Sequence, residues 1–238
     1  MQEKSRIRQR LFQQPVRKLV RLALSLIFAA PLFLSGPLLA AEESKNEEQV
    51  IEGLQKSYES AVDFVADFRQ ETELKTLNRT LKAWGKVYFK RPGKMLWRYE
   101  EPKGQWVLAD GKSLYFYQPE QGQVLKAPLK NAFRSDVPLS FLLGIGNLKR
   151  DFKVTLKGLE GNQYILQLGP KGESGGVDEV LLGVDRQAFG IDWARIRDPV
   201  ENVTTVRFSN MRRGAGLNDS LFRLQVPDGV DVVDMGSK

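Results

Sequence analysis

The stretch GESGG at residues 172–176 is similar to the motif that surrounds the nucleophilic serine of many serine proteases. In those enzymes a histidine takes the proton from the serine hydroxyl as it attacks. The chain contains no histidine, so Ser174 lacks the usual general base. We therefore interpret GPKGESGGVDE as a flexible turn between two strands.

Metal and cofactor chemistry also lacks its usual side chains. The chain has neither histidine nor cysteine, which removes the common ligands of zinc and copper. No loop has the acidic spacing of a calcium-binding EF-hand, and no Walker lysine follows GIGN at 144–147. A carboxylate pair of the glycosidase kind, such as Glu100 with Asp110, stays open. We expect a binding protein with no catalytic residue, no metal and no cofactor.

Helical periodicity is confined to two segments. The first runs from about Asn46 to Ser60, where apolar residues recur at helical spacing between charged ones; these are Val50, Ile51, Leu54 and Tyr58. The second is VPLSFLLGIGNL at 137–148, which is short and rich in leucine. We interpret it as a helix or a helical loop.

The rest of the chain alternates between apolar and polar residues, which is typical of β-strands. Turn sequences such as RPGK, EPKG, ADGK and PEQG separate the alternating segments. About eleven strands are predicted, over 62–74, 80–91, 94–100, 105–110, 113–118, 123–127, 151–159, 162–169, 177–185, 190–197 and 201–212. The fold class is therefore mainly β (α+β), with an antiparallel sheet that curls into a barrel or half-barrel.

The alternation also predicts which side of the sheet is apolar. In segment 80–91 the odd positions are apolar from Leu81 to Phe89, and Arg91 continues that line directly before a proline. The same alternation places apolar side chains on one face of other strands: Phe64, Ala66 and Phe68; Met95, Trp97 and Tyr99; and Val206 and Phe208. A curled sheet would gather these rows, together with Val87, into one concave interior.

Two interpretations of this interior stay open. It is either a solid core filled by the protein's own helices, or a cavity that holds a ligand under a helical lid. Gly85 on the inner row, and Gly144 and Gly146 beside the leucine-rich segment, favour the cavity slightly.

The first forty residues have the features of a secretory signal peptide. Segment 1–21 carries seven basic residues and one acidic residue, and an uncharged apolar stretch follows and ends in small residues at Ala40 and Ala41. The alternative is an uncleaved membrane anchor, which Pro31 and Pro37 disfavour. Without this leader, 29 basic and 28 acidic residues remain of the 36 and 29 in the whole chain. The high pI therefore belongs to the leader, and we expect no nucleic-acid partner.

Several motifs in order resemble one protein family. They are the block ADFRQETE…GKVYFKRPGKMLWRYEEPKGQWVLADGKSLYFYQPEQGQV, then VPLSFLL, and finally FRLQVPDGVDVVD. The family is that of the periplasmic outer-membrane lipoprotein carriers of Gram-negative bacteria, the LolA type. The resemblance implies an incomplete antiparallel barrel, closed by helices over a hydrophobic cavity, as one domain over 41–238 behind a signal peptide at 1–40.

The resemblance also implies a function and a set of site residues. Such carriers accept acylated lipoproteins from an inner-membrane ABC transporter, cover the acyl chains and deliver them to an outer-membrane receptor; we expect a monomer. The arginine of the KRP turn, Arg91, would hold the lid closed through hydrogen bonds to the helical loop. The cavity would be lined by Phe64, Phe68, Val87, Phe89, Met95, Trp97, Tyr99, Leu139, Phe141, Leu142, Leu143, Val206 and Phe208.

Two alternatives accompany these expectations. Arg91 could form an ordinary surface salt bridge beside a turn. The chain could instead be a periplasmic lipid-sensing domain that regulates the response to envelope stress. A receptor of the lipoprotein type is excluded, because the chain has no cysteine to carry a lipid anchor.

Overall fold

The computed structural model describes residues 45–129, 148–171 and 177–236 of the chain. Helix α1 (Glu47–Ser60) begins within one residue of the predicted start at about Asn46 and ends at the predicted residue. The Asn46 side chain accepts from the Gln49 amide, and the Gln49 side chain accepts from the Asn46 amide, each at 3.0 Å. This reciprocal pair satisfies two N–H groups that the first helical turn would otherwise leave without acceptors. The apolar stripe of α1 is buried.

Twelve strands of the described part form one sheet. They are β1 (Asp63–Leu74), β2 (Arg79–Lys90), β3 (Lys94–Glu101), β4 (Trp106–Asp110), β5 (Ser113–Gln118), β6 (Gln123–Pro128), β7 (Phe152–Glu160), β8 (Gln163–Pro170), β9 (Glu179–Asp185), β10 (Ile191–Arg197), β11 (Val203–Arg213) and β12 (Asp231–Asp234). All eleven predicted strands are present, with ends within two residues of the expected positions. A further helix, α2 (Leu148–Asp151), leads into β7.

The strands pair in the order β12-β6-β5-β4-β3-β2-β1-β11-β10-β9-β8-β7. Within the described ranges the edge strands β12 and β7 do not pair, so the sheet is open rather than a closed barrel. The predicted strands pair with their neighbours in antiparallel fashion. The twelfth strand, β12, was not predicted, and it pairs in parallel with β6.

The main core lies between the concave face of the sheet and α1. It includes Leu54 and Tyr58 of the helix and Phe64, Phe68 and Phe89 of the sheet. Leu148 at the start of α2 is fully buried, and its amide donates to Gln55 Oε1 of α1 at 3.0 Å. The leucine-rich segment at 137–148, which is expected to form the lid, lies outside the described residues except for its last residue, Leu148. No helix of the described part is both long enough and apolar enough to cross a bilayer.

A second, smaller core covers part of the convex face. It contains Leu96, Leu108, Tyr115 and Val124, on which the C-terminal segment places Phe222. The carboxylate of Asp63, which is buried, helps to hold this segment by accepting from the amides of Ala215 at 2.6 Å and Leu217 at 2.8 Å. The sheet is therefore apolar on both faces across β3 to β6, which the alternation alone did not predict.

Candidate functional site

The predicted inner residues meet on the concave face because neighbouring strands are in register. Phe68 of β1 lies opposite Phe208 of β11, and Val87 of β2 lies opposite Trp97 of β3. The Phe68 ring also lies 4.5 Å from that of Trp97, between centroids. The face is therefore one continuous apolar surface.

The half of this surface under α1 is filled. The Phe64 and Phe89 rings stack with centroids 4.8 Å apart, and Tyr58 of α1 meets Phe64 edge-on at 6.2 Å. The space left among these side chains is about 10 Å³, which is too small for a ligand. Burial raises the pKa of the Tyr58 hydroxyl well above its usual range. In this half the solid-core interpretation is confirmed.

The other half of the concave face contains a cavity of about 440 Å³. This volume lies within the range of small-molecule sites. Apart from Gln70 and Thr204, its described lining is apolar or aromatic: Met95, Trp97, Tyr99, Val107, Leu114, Phe116, Val177, Ala194, Ile196, Val206 and Phe208. None of these described lining residues carries a formal charge, and burial raises the pKa of Tyr99. The cavity is suited to an apolar ligand and not to an ionic one.

The predicted cavity residues divide between these two halves. Met95, Trp97 and Phe208 touch both spaces, Tyr99 and Val206 line the larger cavity, and Phe64, Val87 and Phe89 lie in the filled half. Phe68 lines neither space. It is buried, and its ring packs against the rings of Trp97 and Tyr99. Leu139, Phe141, Leu142 and Leu143 lie outside the described residues.

Some lining residues were not predicted. Met211 belongs to the filled half, but strict alternation from Phe208 would have placed it on the convex face. The ladder between β1 and β11 shifts register between Val65 and Asp67, and Asn210 there has φ of 53°. Such a bulge inserts one residue and reverses the alternation beyond it. Val107, Leu114, Phe116, Ala194 and Ile196 lie on strands that were predicted, and their alternation could have assigned them.

Arg91 occupies the turn after β2 and is half-buried. Its Nη1 donates to the carbonyl oxygens of Glu59 at 2.7 Å and Tyr58 at 3.5 Å, both in the last turn of α1. That turn contains no basic residue of its own. A cation at a helix C-terminus offsets the partial negative charge of the last carbonyls. Arg91 therefore connects the β2–β3 turn to the helix that covers the concave face.

The same turn is held from the convex side. Lys90 and Lys94 both contact the Asp219 carboxylate at 2.7 Å, and Lys90 Nζ also donates to the Leu217 carbonyl at 2.7 Å. Hydrogen bonds from the two lysines lower the pKa of Asp219 to about 2. The Arg91 turn is thus attached to α1 on one side and to the C-terminal segment on the other.

The described residues do not assemble the carboxylate pair that the sequence left open. Asp110 lies opposite Lys94, six positions along β3 from Glu100, which corresponds to about 20 Å. Its Oδ1 accepts from the amides of Lys112 and Ser113 at 2.8 Å, which is a turn-capping role. A glycosidase pair lies within about 10 Å, so this candidate is excluded. Ser174 lies outside the described residues, and no metal-binding group of acidic residues occurs within them.

Comparison with known proteins agrees with this geometry. The family model "Outer membrane lipoprotein carrier protein LolA" matches residues 59–225. The outer-membrane lipoprotein carrier protein of Methylobacillus flagellatus is 31% identical over 77% of this chain and 88% of its own. That of Methylococcus capsulatus is 31% identical over 83% of this chain and 94% of its own. An uncharacterised conserved protein from Thermus thermophilus shares the fold, with a TM-score of 0.51 and 12% identity over 79% of this chain and 98% of that one. The chain belongs to the LolA family of outer-membrane lipoprotein carrier proteins.

Proposed function

We propose that the protein is a periplasmic carrier that covers the acyl chains of lipoproteins in its concave cavity. The observation that carries this proposal is the cavity of about 440 Å³, whose described lining has no charged side chain. Membership of the carrier family supports the same conclusion. The bound group is an acyl chain, because an apolar surface without ionic partners favours a ligand that water excludes.

The route of the cargo forms part of this proposal. An inner-membrane ABC transporter would supply the lipoprotein, and an outer-membrane receptor would accept it. Residues 1–40 would direct export and be removed, and residues 41–238 would act as a single domain and a monomer. No cofactor and no bond-making step are needed, since the passage of a lipoprotein from one protein to the next is a binding exchange.

Release needs an opposing contribution because acyl burial is strong. At about 0.8 kcal/mol per methylene, one chain of about fourteen methylenes gains on the order of 10 kcal/mol. The Arg91 bonds to Glu59 and Tyr58 hold α1 against the sheet. If loading displaces α1, these bonds stabilise the empty state and weaken net binding. Arg91 is therefore the residue that we assign to release.

Native mass spectrometry of protein purified from the periplasm tests the proposal. Adducts of one triacylated lipoprotein per protein are expected. In Ala194→Phe, which places a larger side chain in the cavity, these adducts should disappear while the circular dichroism spectrum stays unchanged. A bare protein mass, even after incubation with lipoprotein and its transporter, would contradict a carrier and favour the envelope-sensing alternative.

A further inference from the structure

The convex face carries a second groove, of about 590 Å³, that the carrier function does not use. Its floor is formed by Leu96 of β3 and Leu108 of β4, which lie opposite each other in the ladder and are both buried. The next pair along the same face of these two strands is Arg98 and Trp106. The C-terminal segment supplies the facing wall with Asn218, Ser220, Leu221, Arg223 and Gln225.

The groove is preformed. Phe222, which follows Leu221 in the C-terminal wall, is 2% exposed and anchors this segment in the convex core. The Asn218 side chain caps the short helical turn Asp219–Phe222 by accepting from the Ser220 amide at 2.9 Å. The Asp219 carboxylate is held by Lys90 and Lys94. The wall therefore has fixed contacts of its own beside the open groove.

The polar groups of the groove point to an anion. Its described lining contains two arginines and no carboxylate. Neither Arg98 nor Arg223 forms an ion pair with a residue of the described ranges, and Arg98 instead lies over the Tyr88 ring at 5.8 Å. Arg98 also lies opposite Lys86 in the β2–β3 ladder, and Lys86 is paired with Asp67 of β1. Of these two cations, Arg98 is therefore the one whose charge no described carboxylate offsets, and an anion in the groove would offset it.

The groove offers more hydrogen-bond donors than a single bound carboxylate could use. Besides the two guanidinium groups, the lining offers the Trp106 indole N–H, the Ser220 hydroxyl and the side-chain amides of Asn218 and Gln225. A phosphate monoester has three terminal oxygens and a charge between about −1.5 and −2 near neutral pH. Guanidinium groups bind phosphate in a bidentate manner. The floor of Leu96 and Leu108 provides apolar contact for a group attached to that phosphate.

We propose that this groove binds a phosphate-bearing amphiphile, such as a lipid headgroup with the first part of its chain. The site is separate from the concave cavity, although both use β3. Leu96 and Arg98 face the groove, whereas Met95, Trp97 and Tyr99 of the same strand face the cavity.

The indole N–H signals of the four tryptophans separate the two sites in solution. Titration of ¹⁵N-labelled protein with hexyl phosphate should shift the Trp106 signal in a saturable manner, whereas Trp97 reports on the cavity. Arg98→Leu and Arg223→Leu should each weaken the Trp106 response about tenfold. Arg207→Leu removes an exposed arginine on β11, outside the groove, and should leave the Trp106 titration unchanged.

Three further probes decide the ligand class. Inorganic phosphate should bind at least about tenfold more weakly than hexyl phosphate, because it cannot use the apolar floor. Equal affinity would assign the site to the free anion and overturn the amphiphile. Equal affinity for hexanoate would overturn the choice of phosphate, and an equal Trp106 response to hexyltrimethylammonium would overturn an anion site altogether.

An unchanged Trp106 titration in both arginine variants would also overturn the proposal. Each variant is checked for folding by the positions of its other three indole signals. The absence of a Trp106 response to hexyl phosphate would overturn the groove proposal alone. Acyl loading of the concave cavity, which Trp97 reports, tests the carrier function separately.

Discussion

Nη1 of Arg91 lies 2.7 Å from the carbonyl oxygen of Glu59 and donates a hydrogen bond to it. The expected partner of this arginine was the leucine-rich lid segment, which lies outside the described residues. The described partner is instead the C-terminal turn of α1. No carboxylate of the described part pairs with Arg91. Its described contacts with α1 therefore favour a bond to a helical cover over a surface salt bridge.

Arg91→Leu is expected to keep bound lipoprotein and to transfer it to an outer-membrane receptor about tenfold more slowly, because a charge-assisted bond to α1 is worth about 1.5–3 kcal/mol. The measurement is the rate at which loaded carrier delivers lipoprotein to the receptor. Arg79→Leu is the matched control, since Arg79 is an exposed arginine at the other end of β2. Normal delivery by Arg91→Leu would show that the bonds from Arg91 to α1 do not contribute to release.

Trp97→Glu is expected to reduce loading at least about tenfold, because Trp97 lines the cavity and an unpaired carboxylate is costly in an apolar site. Trp97 is 8% exposed. Loading is measured as lipoprotein retained per mole of carrier after exposure to the transporter. Trp84→Glu makes the same change at a side chain that is 45% exposed, and it should load normally. Equal loading by both variants would show that acyl chains bind elsewhere.

Gly85→Ala is expected to destabilise the protein by about 2 kcal/mol or more. A Cβ at Gly85 would lie 2.1 Å from the carbonyl oxygen of Arg98, at the point where the β2–β3 ladder shifts register between Trp84 and Gly85. Urea unfolding measures the change. In Gly169→Ala the nearest atom is 3.8 Å away, so a change within about 0.5 kcal/mol is expected there. Similar values for the two variants would mean that β3 moves freely away from β2.

Asp219 is expected to make stability depend on pH in the acid range. Its pKa in the folded protein is about 2, against about 3.9 in an unfolded chain. A carboxyl with a lower pKa in the folded state stabilises the fold above the unfolded pKa, and this contribution is lost as pH falls from about 4 to about 2.

Urea unfolding of Asp219→Asn at a series of pH values measures this contribution. The variant should be less stable than the wild type at pH 7, and the difference should vanish near pH 2. Asp228→Asn, which removes an exposed carboxylate without a described ion pair, measures the effect of lost charge alone. A difference between wild type and Asp219→Asn that stays constant down to pH 2 would contradict the contact with Lys90 and Lys94.

Local patterns predicted much of the architecture. The apolar spacing of Val50, Ile51, Leu54 and Tyr58 placed α1, and alternation with turn residues placed eleven strands. Gly93, in the predicted RPGK turn, has φ of 65°, a conformation that glycine adopts without a steric cost. These features depend on residues a few positions apart, so the sequence carries them directly.

Features that depend on distant segments were missed. Met211 reaches the inner face only because of a bulge against β1. Leu96 is buried on the convex face only because Phe222, more than a hundred residues later, packs there. The parallel pairing of β12 with β6 likewise joins segments about a hundred residues apart.

The sequence by itself determined the β-rich fold class, because strand alternation and turn chemistry are local. The order of its motifs indicated the family. It also predicted about half of the apolar residues that line the two spaces of the concave face. Only the tertiary structure decided which part of that face is filled and which is hollow. Phe64, Phe89 and Tyr58 close one end, whereas Trp97, Tyr99 and Val206 border an open volume at the other. The reason is that packing depends on how α1 lies across the sheet, and no alternation of residues along a strand encodes the volume that a helix leaves uncovered.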